Sequence, residues 1–118
     1  MEKIKVYVAG KLNDDAVGYN KNRSRMMKTA LMLHQKGFSV FVPCLIEQVG
    51  LIDGDWEYED YFDNSIPWLL VSDAIYLTPG WETSEGTKRE IEISKERGIP
   101  IFDNLQEMII WFSNIKSL

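Results

Sequence analysis

The first hydrophobic stretch is Lys3–Ala9 (KIKVYVA). The stretch is β-branched and aromatic and predicts a first strand running into Gly10. Gly10–Asn22 is polar and turn-like. From about Arg23 the apolar period becomes helical, with Met27, Ala30, Leu31 and His34 on one face, flanked by Met26 and Leu33. Gly37 closes that helix, and Phe38–Val42 reads as a second strand stopped by Pro43. Cys44–Gly54 has mixed polarity and two glycines and reads as a long connection. Trp56–Phe62 is acidic and aromatic and compatible with a helix. Ile66–Val71 predicts a short helix capped by Asn64 or Ser65, with Pro67 in its first turn, where proline is tolerated. Ala74–Thr78 predicts a third strand, broken by Pro79-Gly80-Trp81. Ser84–Arg97 predicts a helix closed by Gly98, and Pro100–Phe102 a short fourth strand. Asn104 caps a last amphipathic helix with Leu105, Met108, Ile109, Phe112 and Ile115 inward.

Strands alternating with helices predict one α/β domain over residues 1–118. The expected architecture is a flavodoxin-like three-layer sandwich with a mostly parallel four- or five-stranded sheet. In such sheets ligands bind beyond the carboxyl ends of the strands, at the point where strand order reverses. The segments expected there are Gly10–Asn22, Pro43–Gly54 and Pro79–Gly86.

Composition narrows the function. The formal net charge of −5 opposes binding of polymeric nucleic acid, which needs a basic face. It leaves room for a small phosphorylated ligand, which needs only a few local donors. No run reaches the about 18 apolar residues of a membrane span. The N-terminus runs directly into a strand, so no signal peptide is expected. The one cysteine, Cys44, leaves no internal disulfide and fits a reducing cytoplasm. No His/Cys/Asp set has metal-ligand spacing, so neither metal nor cofactor is expected.

With Ser84 as N-cap, the backbone N–H groups of Glu85, Gly86 and Thr87 point towards the sheet edge. Gly86 leaves space for close approach, and the helix dipole favours an anion. Ser84 is then either part of an anion cradle or an ordinary cap. Thr87, Glu90, Ile91 and Ser94 share one helical face, and Ile91 marks it as the face on the sheet. Glu90 is therefore an inward carboxylate, about 9 Å along the axis from Ser84. A buried carboxylate needs a partner or a purpose. The partner reading is an ion pair with Arg23, Arg25 or Lys11. The functional reading is a reactive group below an anion site.

Several features together resemble the nucleoside 2-deoxyribosyltransferase-like superfamily. They are Val6-Tyr7-Val8-Ala9-Gly10, Gly37 followed by strand two and Pro43, Asp73 ahead of strand three, and Gly86-Thr87-x-x-Glu90. The group includes deoxyribosyltransferases, 5′-monophosphate N-glycosidases and uncharacterised small relatives. The resemblance implies that Glu90 is a nucleophile attacking the anomeric carbon and that Tyr7 hydrogen-bonds it. It implies phosphate binding at Ser84, where many transferases carry an aspartate. The family's acid for the leaving base aligns with Ser65, so Asp63 is the substitute, with Asp60 and Asp53 behind it. Loop Lys11–Tyr19 lacks the serine- and glycine-rich sequence of the best-known monophosphate glycosidases. The expected substrate-binding set is Gly10, Lys11, Arg23, Ser84, Gly86 and Thr87. The expected ligand is a nucleoside or nucleotide, cleaved at its N-glycosidic bond or, in the alternative, only sensed or sequestered. A homodimer or higher homo-oligomer is expected, because related proteins complete their sites with a neighbouring subunit.

The remaining features have plain readings beside functional ones. His34 fits a helix C-terminus, where a cation is favoured. Cys44 fits simple packing. Trp56, Tyr58, Tyr61 and Phe62 form a base-stacking lid, a dimer contact or ordinary core.

Overall fold

The computed structural model describes residues 3–116. Four strands, β1 (Lys5–Ala9), β2 (Ser39–Phe41), β3 (Ala74–Leu77) and β4 (Ile101–Phe102), form one sheet in the order β2-β1-β3-β4. All three pairings are parallel, with Tyr7 opposite Phe41 on one side and Ile75 on the other. Asp73 fixes the start of β1: its carboxylate accepts from the Lys5 N–H at 2.8 Å, and its own N–H donates to the Lys5 carbonyl.

Five helices cover the sheet: α1 (Ala16–Gln35), α2 (Cys44–Asp53), α3 (Tyr58–Leu70), α4 (Glu85–Glu96) and α5 (Leu105–Lys116). The period-2 alternation of β1 divides the core. Val6 and Val8 face Met26, Ala30 and Leu33 of α1 and Met108 of α5, whereas Tyr7 and Ala9 face Leu69 of α3 and Ile91 of α4. The result is the expected flavodoxin-like three-layer α/β sandwich, with four strands. The crossover through α1 runs from β1 to β2, and the one through α4 runs the opposite way, from β3 to β4. Right-handed crossovers therefore place α1 and α4 on opposite faces and open a crevice beyond β1 and β3.

Three elements differ from expectation. Helix α1 starts at Ala16, well before Arg23, with the Asp15 side chain accepting from the Gly18 N–H. Its first turns read as a loop because they cover a loop: buried Asn22 donates to the Leu12 carbonyl at 3.3 Å. The inward face is Met26, Ala30 and Leu33, while Met27, Leu31 and His34 are exposed. That is a shift of one residue, or about 100° of helix rotation.

The supposed connection Cys44–Gly54 is helix α2, closed by Gly54. Its apolar residues point both ways, Cys44 inward and Leu45, Val49 and Ile52 outward, so no one-sided period marks it. The two segments expected around Asn64 and Ser65 are one helix, α3, capped by a Glu57–Asp60 capping box. Pro67 lies in its last turns, not its first. Proline there removes a hydrogen bond to the carbonyl of Asp63, but both residues are exposed, so water can serve that carbonyl.

Helices α4 and α5 begin as expected, the second with Asn104 Oδ1 accepting from the Glu107 N–H. Met108 is fully buried; the side chain of Ile115, expected on the same face, lies outside the described residues. Among the described residues no helix is long and apolar enough to cross a membrane.

Candidate active site

The crevice begins where β1 hands over to Gly10. A Cβ at Gly10 would sit 1.8 Å from Thr78 Oγ1, so only glycine lets the loops after β1 and β3 lie this close. On the β3 side the chain passes through a short turn of helix at Trp81–Thr83 and enters α4 at Ser84. Ser84 Oγ accepts from the Thr87 N–H at 3.2 Å and from the Thr87 hydroxyl at 3.0 Å. Of the three N–H groups expected to be free, that of Thr87 is thus used by the cap itself. Those of Glu85 and Gly86 remain for a ligand. A Cβ at Gly86 would meet the Tyr58 hydroxyl at 3.1 Å.

One and a half turns further on, α4 buries Thr87, Glu90, Ile91 and Ser94, the face expected from the sequence. Glu90 is 9% exposed, and Tyr7 below it is fully buried. The Tyr7 hydroxyl donates to Glu90 Oε2. Burial raises the Glu90 carboxyl from its usual 4.5 to about 7, against the Tyr7 hydrogen bond, which lowers it. Tyr7 is raised well above its ordinary value, first by burial and then by the Glu90 charge.

No ion pair among the described residues includes Glu90. Lys11 pairs with Asp14 at 3.8 Å, and Arg25 Nη1 donates to the Pro79 carbonyl at 3.3 Å. The partner of Glu90 is therefore a neutral donor, not a cation. Tyr7 is itself clamped: its ring stacks on Phe41, which stacks on Trp68 of α3, each pair with centroids 5.5 Å apart.

Above Tyr7 and Glu90 lies a cavity of about 820 Å³. It brings together Gly10, Lys11, Ser84, Gly86 and Thr87 from the expected binding set. It does not bring in Asp63 or Arg23. Asp63 is exposed on α3, and the inward position two residues later belongs to Ser65, which is buried and a hydrogen-bonding neighbour of the Tyr7 hydroxyl. The helical period explains the correction, because residues two apart point to different sides. Arg23 is half-buried beside Tyr19 and Cys44, whose ionisation it influences. Cys44 is packed in the core, and burial pushes its thiol up, as an inert packing role requires.

Sequence reasoning missed Glu47 and Tyr19. Both line the cavity and hydrogen-bond each other, and Gln48 Nε2 donates to the Tyr19 hydroxyl at 3.3 Å. Burial raises the Glu47 carboxyl above its usual range, and the Tyr19 hydrogen bond opposes it. Had Cys44–Asp53 been read as helical, Glu47 would have fallen on the same side as the buried Cys44. The carboxyl-bearing wall is then Asp14, Glu47, Glu85 and Glu90, with Lys11 as the lysine among them.

Aromatic residues form the roof. Tyr58, Tyr61 and Phe62 line the cavity, and Trp56 packs edge-on against Tyr61 with centroids 5.1 Å apart. Much of the stretch expected as an exposed dimer contact is thus engaged within the chain. Arg89 ties this roof to α4: it meets Glu59 at 2.7 and 3.4 Å and lies 3.6 Å over the Phe62 ring. A second depression of about 830 Å³ lies along the outer side of α1 near Lys21, Arg25 and Lys28, away from the buried carboxylate.

Among the described residues no group of His, Cys, Asp and Glu has the geometry to hold a metal. No curated protein and no solved structure matches the chain. A family profile described as "Domain of unknown function (DUF4406)" matches residues 4–103. That span runs from the first strand past the last and includes Tyr7, Glu47, Ser84 and Glu90, and the chain belongs to this DUF4406 family.

Proposed function

We propose that this chain cleaves or transfers the N-glycosidic bond of a (deoxy)nucleoside or nucleoside 5′-monophosphate, with Glu90 as nucleophile. The observation that carries the reading is the buried Glu90 carboxylate, aligned by the Tyr7 hydroxyl and without an ion-pair partner among the described residues, in the wall of a ligand-sized cavity. A carboxylate neutralised by lysine or arginine would be a poor nucleophile. One held by a single neutral donor keeps its reactivity and its direction.

N-glycoside cleavage passes through an oxocarbenium-like state, in which the sugar gains positive charge. Glu90 stabilises that charge and captures the anomeric carbon as an ester, which water or a second base then releases. Burial of Glu90 favours charge neutralisation as the sugar becomes cationic. The resemblance to the nucleoside 2-deoxyribosyltransferase-like superfamily supports the same assignment through Tyr7 and Gly86-Thr87-x-x-Glu90. A 5′-phosphate would take the free N–H groups of Glu85 and Gly86. Asp14 and Glu85 in the wall oppose it, so nucleosides and monophosphates belong in one assay.

The test is chromatographic detection of free base from a panel of nucleosides and their 5′-monophosphates. Glu90→Gln, shown folded by circular dichroism, should lose activity by about 10³-fold or more. Unchanged base release by this variant makes Glu90 structural and overturns the reading. The exposure of Asp63 favours a second reading, a non-catalytic module that senses or sequesters a nucleotide. That reading expects calorimetric binding of a nucleotide without base release.

A further inference from the structure

Glu47 enters the cavity from α2 and Glu90 from α4, so two carboxyl groups on separate helices face one ligand space. Both are held by tyrosine hydroxyls, Glu90 by Tyr7 and Glu47 by Tyr19. Resting on the N-glycosidic reading above, we infer that Glu47, in its protonated form, is the acid that protonates the departing base. Asp63 cannot take this role from its exposed position, and Ser65, which faces the site, is too weak an acid.

The surroundings of Glu47 favour its protonated form more than those of a solvent-exposed carboxyl do. The charged and titratable groups around it are Tyr19 and Arg23 of α1, Cys44 of its own helix, Tyr58 and Tyr61 of α3, and Tyr7, Lys11, Asp14, Glu85 and Glu90 elsewhere in or beside the cavity. Lys11 is paired with Asp14, and no ion pair among the described residues includes Glu47. Half-burial without a counter-cation favours the neutral carboxyl, and its upward shift follows from that desolvation.

The step balances. A Glu90 carboxylate oxygen forms a bond to the anomeric carbon as the bond from that carbon to the base nitrogen breaks. The electron pair of the broken bond leaves with the nitrogen, which takes the Glu47 proton. Water then attacks the anomeric carbon, its proton passes to the Glu47 carboxylate, and the Glu90 carboxylate departs. Both side chains return to their starting states with no further reactant.

The experiment compares two leaving groups on one sugar: a natural base and 4-nitrophenolate, which departs as a stable anion and needs no proton. Glu47→Gln should lose roughly 10²- to 10⁴-fold on base release, while its first-turnover burst of nitrophenolate stays within a few-fold of wild type and its steady-state turnover falls, because hydrolysis of the ester lacks its base. Glu47→Asp, which keeps the acid on a shorter arm, should recover part of the loss. Base release by the wild type should fall on both sides of a pH optimum, the two limbs belonging to the pair of carboxyls. The nitrophenolate burst rate of Glu47→Gln should rise once, as Glu90 ionises, and then stay flat into alkali. Equal losses in base release and in the nitrophenolate burst, or no loss in either, overturn the role of Glu47 and leave the nucleophile standing. If Glu90→Gln also keeps base release, or the wild type releases none, the N-glycosidic reading itself falls and takes this role with it.

Discussion

The cavity has a floor and a roof built on different principles. The floor is core: Tyr7 of β1 and Thr87, Glu90 and Ser94 of α4 are all buried, and their positions follow from strand and helix periods. The roof is α2 and the first turns of α3; the apolar side chains of α2 are largely outside, with Ile52 88% and Leu45 59% exposed. The roof is tied to the floor through the surface contacts of Arg89 and the ring column on Tyr7. Groups that must be aimed sit where packing fixes their rotamers, and groups that must accommodate a ligand sit on helices that can adjust.

The largest effect that sharpens this contrast lies at Glu90, in stability as well as turnover. Its carboxyl stands at about 7 in the folded chain against a usual 4.5, so the folded state holds the proton more tightly than the unfolded state. The contribution is fully present below about pH 4.5 and is lost as pH rises through about 7. The loss is on the order of 3 kcal/mol between those limits. Glu90→Gln removes it, so the variant should become the more stable protein at about pH 8 while matching wild type at acid pH. Urea unfolding at both pH values measures the difference. A parallel pH dependence in the two proteins would show that Glu90 is not the strained group of the floor.

Next in size is Tyr7→Phe. A hydrogen bond to a charged group is worth roughly 1.5–3 kcal/mol, or about 10- to 100-fold in rate. The Tyr7 bond lowers the Glu90 carboxyl, so its removal raises that group further. An ionised Glu90 is the active form, and the acid limb of the rate profile should therefore move to higher pH in the variant. A smaller rate with an unmoved limb would mean that Tyr7 supports packing but does not tune the carboxylate.

The same contrast explains what was legible in the sequence. Tyr7 and Glu90 could be placed because successive strand residues point to opposite faces, so Tyr7 parts from Val6 and Val8, and because α4 shows Thr87, Glu90, Ile91 and Ser94 on one side. Ser84 and Asn104 could be placed because capping is local chemistry. The roof was illegible for a physical reason. Helix α2 carries apolar residues on both sides, so it has no periodic face, and Glu47 passed for a loop residue. Pro67 then divided α3 into two segments, although the helix runs through it. Asp63 stood in for Ser65 because the resemblance puts the acid at a serine, and only the helical period shows that Asp63 points away. The early start of α1 was hidden because its first turns bury Asn22 against a loop carbonyl rather than an apolar side chain against the sheet.

The smallest effect tests whether floor and roof are separable at all. Arg89 lies on the solvent side of α4, yet both of its contacts, Glu59 and the Phe62 ring, belong to α3. Arg89 and Glu59 are 45% and 59% exposed, so salt and water screen the pair and its loss leaves the fold intact. Phe62 lines the cavity, so freeing it should loosen the wall that meets the ligand without moving the Tyr7–Glu90 bond. Arg89→Ala should therefore raise KM about two- to fivefold and leave kcat nearly unchanged, the pattern of lost uniform binding. Arg89→Lys should fall between wild type and alanine, because lysine keeps the charge but loses the planar fork that meets Glu59 twice and the stacking on Phe62. Added salt should shift wild type towards the alanine variant and leave that variant little changed. A fall in kcat at constant KM would be the opposite result: the roof would then be holding the nucleophile in place, and the two regions would be one unit.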